Sequence, residues 1–200
     1  MSATTFESIP VLGLGDLDAR ADELTATLHE IGFVLVVDHG VDSSVVDAVF
    51  DLMHRFFALP REHKELIDKR RSRHFRGWEP VGTEFTNNRP DLREQIDLWS
   101  EWPAHPIDVE PRWLRLLGPN QWMPDDVLPH HREICRAWFA ELGGLARRLL
   151  GALSAGLRLD PGELERRFGD QPMSLTKLIH YPPTPDGGAG VNAHHDAGFL

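Results

Sequence analysis

Residues 191–200 read VNAHHDAGFL, and this stretch decides how the rest of the chain is interpreted. If residues 191–196 are extended, the alternation of side chains along a strand puts His194 and Asp196 on one face and His195 on the other. An imidazole nitrogen and a carboxylate oxygen two positions apart form a claw for a divalent first-row metal. A face of two histidines and one carboxylate with open positions is the arrangement used by non-haem Fe(II) oxygenases. The triplet by itself is common, and a solvent-exposed polar turn can carry the same letters, so the remaining residues must choose. Domain ends usually fray into polar residues, whereas this stretch closes on the apolar AGFL, so the sequence reads as stopping inside a strand.

Composition narrows the classes. Two hundred residues can bury a core without staples, and the single Cys135 allows no internal disulfide. A lone thiol in a helical stretch reads as a small buried hydrophobe in a reducing compartment, and a cytoplasmic location is expected. With 21 basic and 31 acidic side chains the formal net charge is -10, a field that repels phosphate backbones. The run DKRRSRHFR at 68–76 is a local exception that fits solvated surface, and no nucleic-acid partner is expected. No apolar run reaches membrane-spanning length, and MSATTFESIP lacks the basic and apolar parts of a secretion signal, so no membrane partner is expected either.

Along the chain, IPVLGL at 9–14 reads as a strand. Asp16 opens a helix with Leu17, Ala21, Leu24, Leu28 and Ile31 on one stripe. GFVLVVDHG at 32–40 has the β-branched, glycine-bounded character of a buried strand. Asp42 or Ser43 can cap the next helix, whose face carries Val45, Val46, Val49, Phe50, Met53, Phe56 and Phe57 and which ends by Pro60. Residues 70–129 turn to Pro, Gly, Trp and charge and read as an irregular insert, the kind of excursion that is either functional or plain surface. A long helix follows over about 129–157, with Ile134, Trp138, Leu142, Leu145 and Leu149 on a stripe. Then come a turn with a short helix and two extended segments, MSLTKLIHYPP and VNAHHDAGFL.

Taken together these segments resemble the isopenicillin-N-synthase-like family of Fe(II) and 2-oxoglutarate-dependent dioxygenases. The motifs are IPVLGL, IGFVLVVDHGV and RFFALPREHK at the N-terminal end, RGWEPVGTE, REQIDLW and GPNQW in the insert, KLIHYPP, and VNAHHDAGFL. The resemblance implies an α+β fold in two parts. Residues 1–125 form an N-terminal mixed region with an irregular insert. Residues 126–200 hold a long helix and the first strands of a double-stranded β-helix, or jelly roll, of which only those strands are present.

The resemblance also implies Fe(II) as cofactor and 2-oxoglutarate as co-substrate, with molecular oxygen and a small organic substrate as partners. Oxidative decarboxylation of 2-oxoglutarate would be coupled to hydroxylation, desaturation or cyclisation; the alternative is an isopenicillin-N-synthase-type oxidase that uses no 2-oxoglutarate. His194 and Asp196 match the family's iron ligands, and Tyr181 matches a tyrosine that bonds 2-oxoglutarate, although Ile179 stands where an asparagine often sits. His39 matches a structural turn. Arg76, Trp78 and Glu84 are expected at the rim of the substrate pocket. The family's third iron ligand and its 2-oxoglutarate-binding arginine lie farther along than Leu200, and no spacing rule brings His130, His131 or His180 to the metal instead. The expectation is therefore an N-terminal part of a longer dioxygenase, catalytically incomplete over residues 1–200 alone, or a non-catalytic fragment if the gene ends there. Primary substrate and oligomeric state are not readable from the sequence.

Overall fold

The first two β-branched runs pair with each other: β1 (Val11–Gly13) and β2 (Leu35–Val37) lie parallel, with Val11 opposite Leu35 and Gly13 opposite Val37. The structure, a computed structural model, describes residues 8–184 and 190–195. The chain divides into two compact units, Met1–Val46 with Ala137–Pro172 and Asp47–Arg136 with Met173–Leu200. Mixed helix and strand in small sheets is the α+β class expected.

In the first unit a parallel pair needs a crossover, and α1 (Ala21–Glu30) supplies it. Leu12 and Val36 turn inward with Leu14, Ala21 and Leu24 onto the stripe of α4 (His131–Gly156) that holds Leu149, Leu150 and Leu153. The expectation of a buried β2 is corrected, because Leu35 and Val37 are about half exposed beside Val11. A two-stranded sheet has two faces, and this core covers one of them. The first helix also begins later than Asp16 suggests. Residues before Ala21 form turns, closed by Arg20 N–H on the Leu17 carbonyl and Ala21 N–H on that of Asp18.

α2 (Ser43–Phe57) starts at Asp42, whose Oδ1 accepts from both the backbone N–H and the hydroxyl of Ser44 at 2.8 Å. It buries Val49, Leu52 and Phe56, spaced three and four apart, while Phe50 is exposed. The expected stripe was too wide: at 100° per residue Phe50 falls off the face that Val49 and Phe56 share, and Leu52 takes its place.

In the second unit β3 (Gly77–Glu79), β6 (Glu94–Trp99) and β7 (Leu175–His180) form an antiparallel sheet in the order β3-β6-β7. Ile96 stands opposite Trp78 on one side and Leu178 on the other. A small hairpin, β4 (Phe85–Thr86) with β5 (Arg89–Pro90), turns through Asn87 and Asn88. Both have positive φ, as a two-residue hairpin turn requires. α3 (Arg61–Lys64) precedes two short 3-10 turns that carry the chain to β3. A further 3-10 turn spans Arg112–Leu116, and α5 (Glu163–Phe168) belongs to the first unit. No helix among the described residues is long and apolar enough to cross a membrane.

The first residue of α4 carries a pH-sensitive load. His131 is fully buried between the rings of Phe56 (6.3 Å) and Trp122 (5.4 Å), and its Nδ1 accepts the Met123 N–H at 3.0 Å. Burial alone pulls its pKa from 6.5 down to about 4. Between those values the unfolded chain binds the proton and the folded one does not, so this histidine's contribution falls as pH drops from about 6.5 and levels off below about 4. The loss amounts to about 3 kcal/mol. Urea midpoints of wild type and His131→Asn, compared at pH 7 and pH 4.5, check this. The wild type should lose the extra stability and the variant, which keeps an acceptor without a titrating ring, should not. The neighbouring Cys135 is equally dry, its thiol pushed up to about 12 by burial, which fits the small-hydrophobe reading.

Candidate functional site

The register of β6 on β7 sorts the polar residues of the sheet onto two faces. Glu94, Ile96 and Leu98 share one with His180, Leu178 and Thr176; Gln95, Asp97 and Trp99 share the other with Ile179, Lys177 and Leu175. All residues of β6 from Glu94 to Leu98 are buried. Its charges must therefore be paired.

On the first face Glu94 is a hub. Its carboxylate takes Lys64 Nζ at 2.9 and 3.2 Å, the Trp78 indole N–H at 2.9 Å and His180 Nδ1 at 3.0 Å. Burial works to raise its pKa, but the bonds from Lys64, His180 and Trp78 outweigh that and hold it below the usual range. His180 is thereby committed to Glu94. His130 bonds Glu133 at 2.9 Å on the surface, and His131 is in the core. Among the described residues no three His, Cys, Asp or Glu side chains come together as a metal site.

The second face carries a chain of alternating charges. Lys69 Nζ sits between Glu79 (2.8 Å) and Asp97 (2.7 Å), and Lys177 Nζ lies 3.8 Å from Asp97 and 2.9 Å from Glu84 Oε1. The other Glu84 oxygen accepts from Arg93 Nη2 at 2.8 Å, and Arg93 also meets Asp91 at 3.1 Å. Arg93 Nη1 then donates to the Tyr181 hydroxyl at 3.4 Å. Burial acts to raise the Glu84 pKa, and Lys177 and Arg93 overcome it and keep the group ionised. Tyr181 is half exposed at the end of this face, two and four residues on from Ile179 and Lys177.

The other expected site residues fall unevenly. Residues 191–195 form no strand, so the alternation argument for His194 and His195 lacks the ladder it assumed. Hydrogen bonds hold the segment instead: Leu92 N–H donates to the Gly190 carbonyl at 2.8 Å, and the Asn87 side-chain amide donates to the Ala193 carbonyl. His194 is exposed, and its Nδ1 lies 2.8 Å from the Asn192 carbonyl. Against a carbonyl that nitrogen carries the proton, which puts the ring's lone pair on Nε2. A backbone carbonyl fixing the second ring nitrogen is the usual support of a metal-bound histidine, so the residue fits an iron ligand. Asp196 lies outside the described residues.

Arg76 and Trp78 do not sit at a rim. Arg76 is 0% exposed, with its guanidinium 5.6 Å from the Trp99 ring centre and its pKa lowered by burial to about 10; Trp78 is 3% exposed under Glu94. Pairing of β3 with β6 sets Trp78 opposite Ile96 and draws it inward, and Arg76 enters β3 directly before Gly77. Glu84 keeps partial exposure. What sequence reasoning missed was the partnership of Arg93, Asp97 and Lys177. The alternation in REQIDLW was its signal, hidden because residues 70–129 read as one irregular insert.

Residues 9–125 match the family model described as the N-terminal region of the non-haem dioxygenase in morphine synthesis. A homoarginine-6-hydroxylase of Arabidopsis thaliana is 27% identical over 99% of this chain and 65% of its own length. A 2-oxoglutarate-dependent dioxygenase of a Dothideomycetidae species is 28% identical over 96% of this chain and 54% of its own. The chain thus spans between about half and two thirds of the length of these curated relatives. Among solved structures, a 2OG-Fe(II) oxygenase family protein from Caulobacter crescentus aligns with a TM-score of 0.73 at 25% identity, over 90% of this chain and 58% of that one. The dioxygenase for auxin oxidation in rice aligns at 0.65 and 25%, over 96% and 58%.

Proposed function

The chain belongs to the non-haem dioxygenase family, and from that premise we propose that the whole protein is an Fe(II)- and 2-oxoglutarate-dependent oxygenase acting on a small organic molecule. The observation that carries this is the match of residues 9–125 to the family model, extended by 2-oxoglutarate-dependent relatives aligned along nearly the whole chain. Iron and 2-oxoglutarate, when bound, supply an oxidant from molecular oxygen as 2-oxoglutarate is decarboxylated to succinate.

In this reading His194, its ring held by the Asn192 carbonyl, and Asp196 would hold the iron. Tyr181 would donate a hydrogen bond to a carboxylate of 2-oxoglutarate, its phenol oriented by the bond it accepts from Arg93. Glu84 lines the substrate side. Residues 1–125 act as the family's N-terminal region, and residues 126–200 provide the long helix and first jelly-roll strands. Hydroxylation is the outcome favoured by the Arabidopsis relative's name. A cytoplasmic setting suits the single reduced thiol.

The test is product analysis of the full-length protein supplied with Fe(II), 2-oxoglutarate and oxygen. Succinate formed in step with 2-oxoglutarate consumption is expected. Substrate oxidation with 2-oxoglutarate untouched would replace this reading by an oxidase.

A further inference from the structure

We infer that the face carrying Glu84, Arg93 and Lys177 is the subsite for a zwitterionic, amino-acid-like substrate, whose ammonium pairs with Glu84 and whose carboxylate pairs with Lys177 and Arg93. That the occupant is a substrate rests on the oxygenase reading; that it is a zwitterion rests on the face itself.

The charges are arranged for exchange. Deeper in the sheet, Lys69 is shared by Glu79 and Asp97, with all three side chains mostly buried. At the open end Glu84 and Lys177 keep side-chain exposures of 28% and 26%, and each oxygen of Glu84 has its own cation. This outer pair is the part a ligand can reach, and it lies on the side of the sheet that leads to Tyr181 through Arg93.

The polar atoms left over show what is wanted. Gln95 is almost fully buried and donates its amide to Asp97 at 3.1 Å, yet among the described residues its Oε1 has no partner; Asp91 is fully buried and its Oδ1 has none among them, and Arg93 Nε finds no acceptor among them. Two acceptors and a cationic donor near the outer pair are unmet among the described residues, and buried polar groups of this kind call for partners. An ammonium offers donors and a carboxylate offers an acceptor.

Charge balance excludes the simpler ligands. Glu79, Glu84, Asp91 and Asp97 face Lys69, Arg93 and Lys177, so the face is close to neutral overall. An apolar ligand would strip water from Glu84 and Lys177 and give nothing back. A ligand of one sign would leave one member of the outer pair desolvated beside a like charge. A zwitterion replaces each partner by another of the same sign.

Calorimetric titration of the full-length protein with L-lysine, L-arginine, hexanoate, 1,5-diaminopentane and cyclohexanol tests this. The two amino acids should bind at least tenfold more tightly than the other three, and Glu84→Gln and Lys177→Met should each weaken them at least tenfold in protein shown folded by circular dichroism. Equal or tighter binding of a single-signed or neutral probe to wild type would overturn the subsite, as would amino-acid binding that both folded variants retain. Succinate assayed on the same samples separates the two readings. Amino-acid binding lost in the variants of a protein that never forms succinate supports the subsite and removes the oxygenase.

Discussion

Glu94→Ala should destabilise the protein by about 4 kcal/mol, the range found when one partner of a buried ion pair is removed. The carboxylate is the common acceptor for Lys64, Trp78 and His180, and Lys64 is itself largely buried. Truncation leaves an ammonium and an indole N–H without partners where water hardly reaches. It also cuts the tie between α3, β3 and β7 that passes through β6. Glu94→Gln keeps one acceptor oxygen for Lys64 and Trp78 and gives up the charge and the oxygen that meets His180, so a smaller loss of about 2 kcal/mol is expected. Urea denaturation of the three proteins checks the order. If alanine cost less than about 1 kcal/mol, the hub would be no stronger than a surface ion pair.

His194→Ala and Asp196→Ala should each reduce 2-oxoglutarate turnover by the full-length protein at least about 100-fold. Loss of an orienting group around a metal already costs 10- to 100-fold, and a ligand itself should cost no less. The same His194 change should leave the urea midpoint nearly where it was, because the ring is exposed and substitutions at such positions move stability by about 0.5 kcal/mol or less. The pattern is the reverse of Glu94→Ala. One residue is expected to govern chemistry and the other cohesion.

The contrast between these two residues shows what could be read from sequence. His194 can be singled out as a candidate because the His-x-Asp spacing carries a chemical meaning that does not depend on its surroundings. Helices α1, α2 and α4 were visible because their apolar residues recur at three and four, although Phe50 was assigned to the wrong side of α2. Glu94 was not visible. It sits in β6, where charged residues alternate with Ile96 and Leu98, and a strand buried on both faces with acids on each follows no hydrophobicity rule. Its burial depends on Lys64, thirty residues earlier, and His180, eighty-six later, and such pairings are set by tertiary register. Arg76 and Trp78 misled for the same reason: a Gly- and Pro-rich neighbourhood reads as a loop, yet Trp78 pairs opposite Ile96 in β6 and Arg76, just before that strand, is buried with it. The charged run of Glu84, Arg93 and Lys177 was similarly split across the chain, and only Glu84 was picked out in advance.

Titration of Fe(II) into the full-length protein, anaerobically and with calorimetric detection, tests the account most directly. The wild type should take up one equivalent, and His194→Ala and Asp196→Ala should each lose that binding while remaining folded. Undiminished uptake of iron by both variants would contradict the assignment of residues 194 and 196 as the metal's protein ligands, and with it the placement of the active site at this end of the sheet.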